Sequence, residues 1–321
     1  AQRGRVTWLR HGDWNSSYFQ QYASMQRKKN LIKRLKNTMD GWVEGNDSLK
    51  PLVRDYFVSL FTSEAGDTDQ GLLASVKPSV SAAMNDFLCA DYTGDEVKRA
   101  LFQIGDVKAP GPDSLHALFF KRFWHILGDE LTKEVLDAIN KKKIPTGWNA
   151  TNIVLIPKVD NPEVITQYRP ISLCNVVYKI ISKMIVNRLK KILPEIISPT
   201  QSAFVPGRLI TDNVLVAYES FHAIKKKTHG SNGYCAIKLD MHKAYDRVKW
   251  GFLRNMMMRM GFQEEWVEMI MECVSSVSYK IRFNVTETDE FVPTRGLRQG
   301  DPLSPYLFLI CSEGLSRLLA H

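Results

Sequence analysis

Short β-branched runs set between long amphipathic segments are the feature that most constrains how this chain folds. The run NIVLIPKV (152–159) predicts a strand, and the mostly apolar run over 234–239 predicts another. Apolar residues recur at helical spacing over 176–193, and Thr93 followed by Glu96 predicts a capped helix start. Helices come first and short strands follow among further helices, so the order predicts an α+β fold with a small antiparallel sheet packed on helices.

The net charge indicates the kind of partner, and the cysteines indicate the kind of compartment. The net charge is +9, and residues 1–36 hold nine Lys or Arg against a single Asp, which favours a nucleic-acid partner. The five cysteines form no CxxC pair, which argues against a zinc site and for a reducing, intracellular compartment. No apolar run approaches the roughly 18 residues of a membrane span, so no membrane-spanning segment is expected.

Two segments present an arginine at a turn or an extended position. In QYRPISLCNVVYKIISK (167–183), Arg169 precedes a proline and is therefore held extended or in a turn, where its guanidinium could grip a phosphate or pair with a nearby carboxylate. In SPTQSAFVPGRLITDN (198–213), Gly207 frees the backbone beside Arg208. Two structures fit this pattern equally well. One is a turn that places the Arg208 cation over a nucleotide phosphate, and the other is a surface β-hairpin with an exposed arginine.

The stretch CAIKLDMHKAYDRV (235–248) places Asp240 at the end of the predicted strand. This carboxylate could cap the following segment or hold a hard cation such as Mg²⁺, which takes one or two carboxylates together with phosphate oxygens. Asp246 follows on a predicted helix. It could be a second metal ligand, but the preferred interpretation is an acid near the helix N-terminus, where the helix dipole favours it.

The run PTRGLRQGDPLSPYLFLI (293–310) flanks Arg298 and Gln299 with Gly296 and Gly300, and then starts an apolar helix. A polar, cationic turn that leads into a helix N-terminus can lie against a base pair or a phosphate, and it can also be an elaborate helix cap. Its length and composition favour the first interpretation.

Six blocks in one order resemble the reverse transcriptase domain of LINE-type (non-LTR) retrotransposons, especially those of plants. They are GPDSLHALFFKRFW, IVLIPK, YRPISLCNVVYKIISK, QSAFVPGR, LDMHKAYDRVKW and GLRQGDPLSPYLF, and the N-terminal VTWLRHGDWNSSYFQ resembles the segment that precedes the polymerase there. The resemblance implies right-hand fingers and palm, without a thumb in this chain. It also implies RNA-directed DNA synthesis from dNTPs on an RNA template and a DNA primer, with two Mg²⁺ ions.

The resemblance also assigns roles to single residues. It makes Asp240 the first catalytic carboxylate, with the Met241 backbone carbonyl as a further metal ligand, and Tyr245 the aromatic residue under the incoming sugar. The expected nucleotide contacts are Tyr245, Arg298, Gln299, Gly300, Arg208 and Arg169, and the basic residues expected to hold nucleic acid are Arg27, Lys28, Lys29, Lys33 and Arg34.

The chain also departs from the family pattern. It contains no Asp-Asp dipeptide, the second carboxylate block of the family, and His242 stands where a small serine is usual. Two metal ions need more than one anionic anchor. We therefore expect a C-terminally truncated fragment that is inactive alone. A non-catalytic nucleic-acid-binding remnant of a decayed element is the alternative, and an intron maturase is disfavoured by the N-terminal segment.

The sequence predicts four successive regions. Residues 1–62 form a basic, mostly helical extension, 63–92 a linker, 93–233 a fingers-like region and 234–321 a partial palm. The resemblance further implies an upstream endonuclease in the parent polyprotein, and a nuclear and cytoplasmic ribonucleoprotein location.

Overall fold

A computed structural model describes residues 17–63, 70–227, 233–284 and 286–319. Within these ranges the helices are α1 (Ser17–Lys29), α2 (Asn46–Phe61), α3 (Gln70–Ala74), α4 (Ala82–Cys89), α5 (Gly94–Gln103), α6 (Ala117–Arg122), α7 (Trp124–Asn140), α8 (Val176–Ile196), α9 (Ile210–Lys226), α10 (Trp250–Met260), α11 (Glu264–Ser275) and α12 (Ser304–Leu319). None of these helices combines the length and the apolar character that crossing a membrane requires.

The strands form two small sheets, as an α+β fold requires. β1 (Arg34–Lys36) and β2 (Trp42–Glu44) make an antiparallel ribbon. The strands β3 (Ala150–Pro157), β4 (Tyr168–Cys174), β5 (Ser278–Phe283) and β6 (Thr286–Glu287) make a four-stranded sheet in the order β4-β3-β5-β6. The predicted strand at 152–159 and the extended conformation of Arg169 are thus confirmed.

Contacts divide the chain into two units, each built from separated segments. The first comprises residues 1–56, 153–171 and 280–289, and the second comprises 57–152, 172–279 and 290–321. This division differs from the four successive regions that the sequence predicts. The sequence-based boundaries assume that each region is continuous, whereas segments distant in the chain share a unit.

The predicted linker over 63–92 is wrong for its described part. Residues 70–92 contain α3 and α4, and Leu73, Val76 and Leu88 belong to the buried core of the second unit. The linker was predicted from the Ser, Asp, Gly and Thr residues of this stretch. Its apolar residues, however, recur at spacings suited to short helices. It is therefore a packed part of that unit.

Helix α8 forms the centre of the second unit because its apolar residues recur on more than one face. Ile180, Ile181, Met184, Ile185 and Leu189 are each 0% exposed, and α5 packs against this helix. The predicted start of α5 is confirmed, since the Thr93 hydroxyl accepts from the Glu96 amide and the Glu96 carboxylate accepts from the Thr93 amide.

The first unit carries the basic N-terminal segment. In the described part of the predicted extension, residues 17–62, the helices α1 and α2 cover 29 of 46 residues, so this part is mostly helical as predicted, with β1 and β2 between the two helices. The β1–β2 register places Lys36 opposite Trp42 and Leu35 opposite Val43. Leu35 is completely buried, so the ribbon turns its charged face outward.

The predicted strand at 234–239 is wrong. Residues 233–241 have no regular secondary structure, and Ile237 and Leu239 are 78% and 71% exposed. An isolated extended segment gains no inter-strand hydrogen bonds, so local β propensity alone does not form a strand. The helix predicted to carry Asp246 is also absent, because residues 242–247 form turns.

Candidate nucleotide-binding site

The loop at 295–301 is hydrogen-bonded to residues 245–250, which follow Asp240 in the chain. The Leu297 amide donates to the Tyr245 carbonyl at 2.8 Å, and the Gly296 amide donates to the Val248 carbonyl at 2.8 Å. The Trp250 indole donates to the Gly296 carbonyl at 2.8 Å. These bonds fix the loop against residues 245–250, which lie about 50 positions earlier in the chain.

Gln299 joins this contact to a third sequence block. Its side-chain amide donates to the Asp246 carboxylate at 3.2 Å, and its backbone carbonyl accepts from the Ser172 amide at 2.8 Å. Asp246 is 3% exposed. The structure therefore brings together Tyr245, Gln299 and Ser172 of the YRPIS block, and it makes Asp246 a buried acid that holds Gln299.

Gly296 allows the close approach in this contact. Its φ is +97°, and a Cβ atom there would lie 2.9 Å from the Asp246 carbonyl oxygen and 3.0 Å from the Phe61 ring. Any side chain would strain the backbone and clash with both neighbours. Gly300, the other glycine of the loop, has a φ of +121° and is exposed.

Arg298 is an internal residue in the structure. Its side chain is 4% exposed and pairs with the Asp301 carboxylate at 2.7 Å, and it also donates to Asn149 and to the Cys273 carbonyl. Its guanidinium lies 4.0 Å from the Tyr178 ring centroid. Burial alone would lower the pKa of Arg298, but Tyr178 and Asp301 outweigh that effect and raise it. With these contacts Arg298 holds the loop in place, and they leave no face of it open to a nucleotide.

Tyr245 packs beside the loop as a half-buried aromatic residue. Its ring stacks on Phe308 with centroids 5.0 Å apart and planes at 15°. Burial raises the pKa of its hydroxyl. A residue held this way can support a ligand only through the exposed part of its ring.

Asp240 and Met241 belong to the irregular segment 233–241, and the hydrogen bonds that fix the loop at 295–301 against residues 245–250 go to residues that follow this segment. Both residues are exposed, and Met241 is 49% exposed. Across the described part of the chain, no group of three or more His, Cys, Asp or Glu side chains is placed to hold a metal ion. Asp240 alone therefore does not fit the two-ion site that the family implies.

Arg208 donates hydrogen bonds to backbone carbonyls at and just beyond the C-terminal end of helix α8. Its guanidinium donates to the carbonyls of Ser198 (2.6 Å), Gln201 (2.7 Å), Pro194 (2.8 Å) and Ile197 (3.0 Å). These carbonyls lie in and just after the last turn of the helix, where they lack intrahelical donors. The structure thus gives Arg208 the role of a helix C-terminal cap in place of the predicted phosphate contact. Arg169 is exposed on β4 between the buried residues Tyr168 and Pro170.

Four of the five predicted nucleic-acid residues line one cavity in the first unit. Lys28, Lys29, Lys33 and Arg34 surround a space of about 430 Å³, whereas Arg27 faces another cavity. Trp42 also lines it, and the Arg34 guanidinium lies 4.1 Å from the Trp42 ring centroid. The sequence prediction missed Trp42, although a tryptophan that follows three cations within ten residues is a pattern that favours a cation–π contact.

Residues 156–321 match the family described as Reverse transcriptase (RNA-dependent DNA polymerase). The chain belongs to the reverse transcriptase family. The uncharacterized 149 kDa protein of transposon TX1 from Xenopus laevis is 31% identical over 322 residues, 99% of this chain and 24% of that protein.

Two more proteins are similar to parts of this chain. A retrovirus-related Pol polyprotein from a type-1 retrotransposable element R2 of Popillia japonica is 29% identical over 178 residues, 53% of this chain and 24% of the polyprotein. An uncharacterized mitochondrial protein of Arabidopsis thaliana is 77% identical over 26 residues, 8% of this chain and 21% of that protein. This reverse transcriptase chain spans 24% of the length of each of the first two relatives.

Proposed function

We propose that this chain is part of an RNA-directed DNA polymerase from a non-LTR retrotransposon, which adds dNTPs to a DNA primer on an RNA template. The observation that carries the proposal is the bonding of one loop to two other sequence blocks, in a chain whose residues 156–321 match the reverse transcriptase family. In that loop Gln299 bonds Asp246 and Ser172 of the YRPIS block, and Leu297 bonds Tyr245. A plant lineage is supported by the short 77% match to an Arabidopsis protein. A nuclear and cytoplasmic ribonucleoprotein location and an upstream endonuclease are part of the proposal.

Asp240 is the proposed metal-binding carboxylate, with Met241 contributing its backbone carbonyl. Mg²⁺ supplies charge neutralisation to phosphoryl transfer when it is bound. The 321 residues contain no Asp-Asp pair, so further anionic ligands have to come from other sequence. We therefore expect the chain 1–321 to be inactive by itself. Gln299, Tyr245 and the exposed Gly300 are the proposed nucleotide-facing group, and Arg169 is a further proposed contact.

The test uses the open reading frame that encodes this chain, expressed at full length beside 1–321. Incorporation of dTTP on primed poly(rA) with Mg²⁺ is expected from the full-length protein and not from 1–321. Asp240→Asn should abolish it, because an amide is a weaker ligand for a hard cation. Asp289→Asn is the matched control, since that carboxyl is 82% exposed in the first unit.

Two outcomes would change the proposal. Full incorporation by the Asp240→Asn protein would remove Asp240 from the active site. RNA binding without incorporation by the full-length protein would favour the alternative, a non-catalytic nucleic-acid-binding remnant. The observation that favours this alternative is the exposed position of Asp240, outside any helix or strand.

A further inference from the structure

A further cavity lies in the second unit, among the ends of α4 and α7 and the first half of α11. Its volume is about 250 Å³, below the roughly 300–1,000 Å³ of typical small-molecule sites. Leu88, Ile139 and Met269 supply apolar wall, and Tyr92 and Trp266 supply aromatic wall. None of these residues belongs to the proposed nucleotide site.

Two wall residues carry polar atoms that the protein leaves unsatisfied. The Trp266 indole N–H and the Tyr92 hydroxyl are buried and have no hydrogen-bond partner among the described residues. Trp266 is only 3% exposed. A buried donor without an acceptor costs free energy, and few native groups tolerate that cost without a reason.

Both rings pack against neighbours, and each polar atom reaches an acceptor only after its ring shifts slightly. The Trp266 ring stacks on Phe262 with centroids 4.8 Å apart and planes at 12°. The Arg188 guanidinium lies 3.6 Å from the Tyr92 ring centroid. An acceptor brought in by a ligand would satisfy these donors after a small side-chain adjustment.

The mouth of the cavity is acidic on a chain whose net charge is +9. Asp91 and Glu265 line it and are exposed, and Glu268 lies one turn further along α11. Lys142 is the lysine at this mouth, and its ammonium lies 3.7 Å from Glu265 and 3.9 Å from Glu268. This charge disfavours a phosphate backbone and favours a cationic ligand.

We propose that this cavity binds one apolar side chain from a basic peptide segment of a protein partner. The side chain, of leucine or methionine size, lies between Leu88, Ile139 and Met269. A backbone carbonyl of the same segment accepts from the Trp266 indole and the Tyr92 hydroxyl. The flanking lysine or arginine residues of the partner lie against Asp91, Glu265 and Glu268.

The test follows the Trp266 indole resonance of ¹⁵N-tryptophan-labelled 1–321, assigned as the signal lost in a folded Trp266→Phe protein. Acetyl-Lys-Leu-Lys-amide should shift this resonance in a saturable way. Acetyl-Lys-Gly-Lys-amide and acetyl-Glu-Leu-Glu-amide should shift it at least tenfold less at equal concentration. Asn140→Phe, at the edge of the cavity, should weaken binding at least tenfold, while Glu134→Phe, exposed on the same helix, should change it less than twofold.

Several results would overturn the proposal. One is the absence of any shift with the Lys-Leu-Lys peptide, and another is an equal shift with the Glu-Leu-Glu peptide. A saturable shift with oligo(U) would mean that the cavity belongs to the nucleic-acid path. A shift that depends on protein concentration without peptide would assign the cavity to a second copy of this chain.

Discussion

The ion pair between Arg298 and Asp301 has both side chains almost fully buried, at 4% and 3% exposure. Arg298→Met would leave a buried carboxylate without its counter-charge, so we expect a loss of about 3–5 kcal/mol in the free energy of unfolding, measured by urea denaturation. In the double variant with Asp301→Asn the buried charge is gone, and the loss should be smaller than for Arg298→Met alone. A larger loss in the double variant would contradict this account.

Gly296 offers a second test at the residue scale. Gly296→Ala should destabilise by more than about 1 kcal/mol, because it combines a positive φ with a clash. Gly45→Ala is the matched control, since Gly45 has a φ of +84° and a Cβ atom added there would meet nothing within 4 Å. Gly45→Ala should lower the free energy of unfolding only by the backbone strain of a positive φ. Equal thermal stability of the two variants would show that the close approach to Asp246 is unimportant.

Single residues also show where sequence interpretation reaches its limit. The sequence predicted a turn at the glycines of the loop at 295–301, because a turn with positive φ favours glycine. The burial of Arg298 was not readable, because its partners Asn149, Tyr178 and Cys273 are distant in the chain. The same holds for Arg208, whose carbonyl partners become available only where α8 ends.

At the scale of elements, α5 and α8 are joined by Glu96 and Arg188. The Arg188 guanidinium donates to both Glu96 carboxylate oxygens at 2.8 Å and to the Leu88 and Asp91 carbonyls at 3.0 and 2.8 Å. Burial acts to raise the pKa of Glu96, but the bonds from Arg188 and Thr93 outweigh it and lower that pKa.

This lowered pKa predicts a pH dependence. A carboxyl with a lower pKa in the folded state stabilises fully above its unfolded pKa, and that stabilisation is lost as pH falls through the folded value. The urea midpoint should therefore fall from about pH 6 to about pH 3, and Glu96→Gln should reduce the size of that fall. An unchanged pH profile in Glu96→Gln would show that other carboxyls control acid unfolding. Glu130→Gln, exposed on α7, is the control.

The elements that sequence predicted correctly are those whose signals are local. The capping pattern at Thr93 and the apolar repeat of α8 each specify a helix without reference to the rest of the chain. The strand at 234–239 failed for the opposite reason, because a strand depends on a partner that the local pattern does not contain.

At the scale of the whole molecule, two cavities differ in the charge of their lining: four cations and two acids line the cavity of about 430 Å³ in the first unit, and two acids and one lysine line the cavity of about 250 Å³ in the second unit. The first unit gathers Lys28, Lys29, Lys33 and Arg34 around one cavity, while the mouth of the second unit's cavity is acidic. The sequence predicted the basic segment, because nine cations within 36 residues are a local signal. It could not predict that residues 153–171 and 280–289 join residues 1–56 in one unit.

This charge distribution predicts salt-dependent RNA binding by 1–321. Each phosphate neutralised on a single strand contributes a slope of about −0.7 to the plot of log K against log salt concentration. Replacing both Lys28 and Lys33 by alanine should reduce the magnitude of the slope by roughly 1.4 if each contacts one phosphate. Replacing both Lys141 and Lys143 should leave it unchanged, because these lysines lie in the other unit and Lys141 already pairs with Asp137 at 2.7 Å. Equal slopes for the two double variants, measured by fluorescence anisotropy, would place the RNA contact elsewhere.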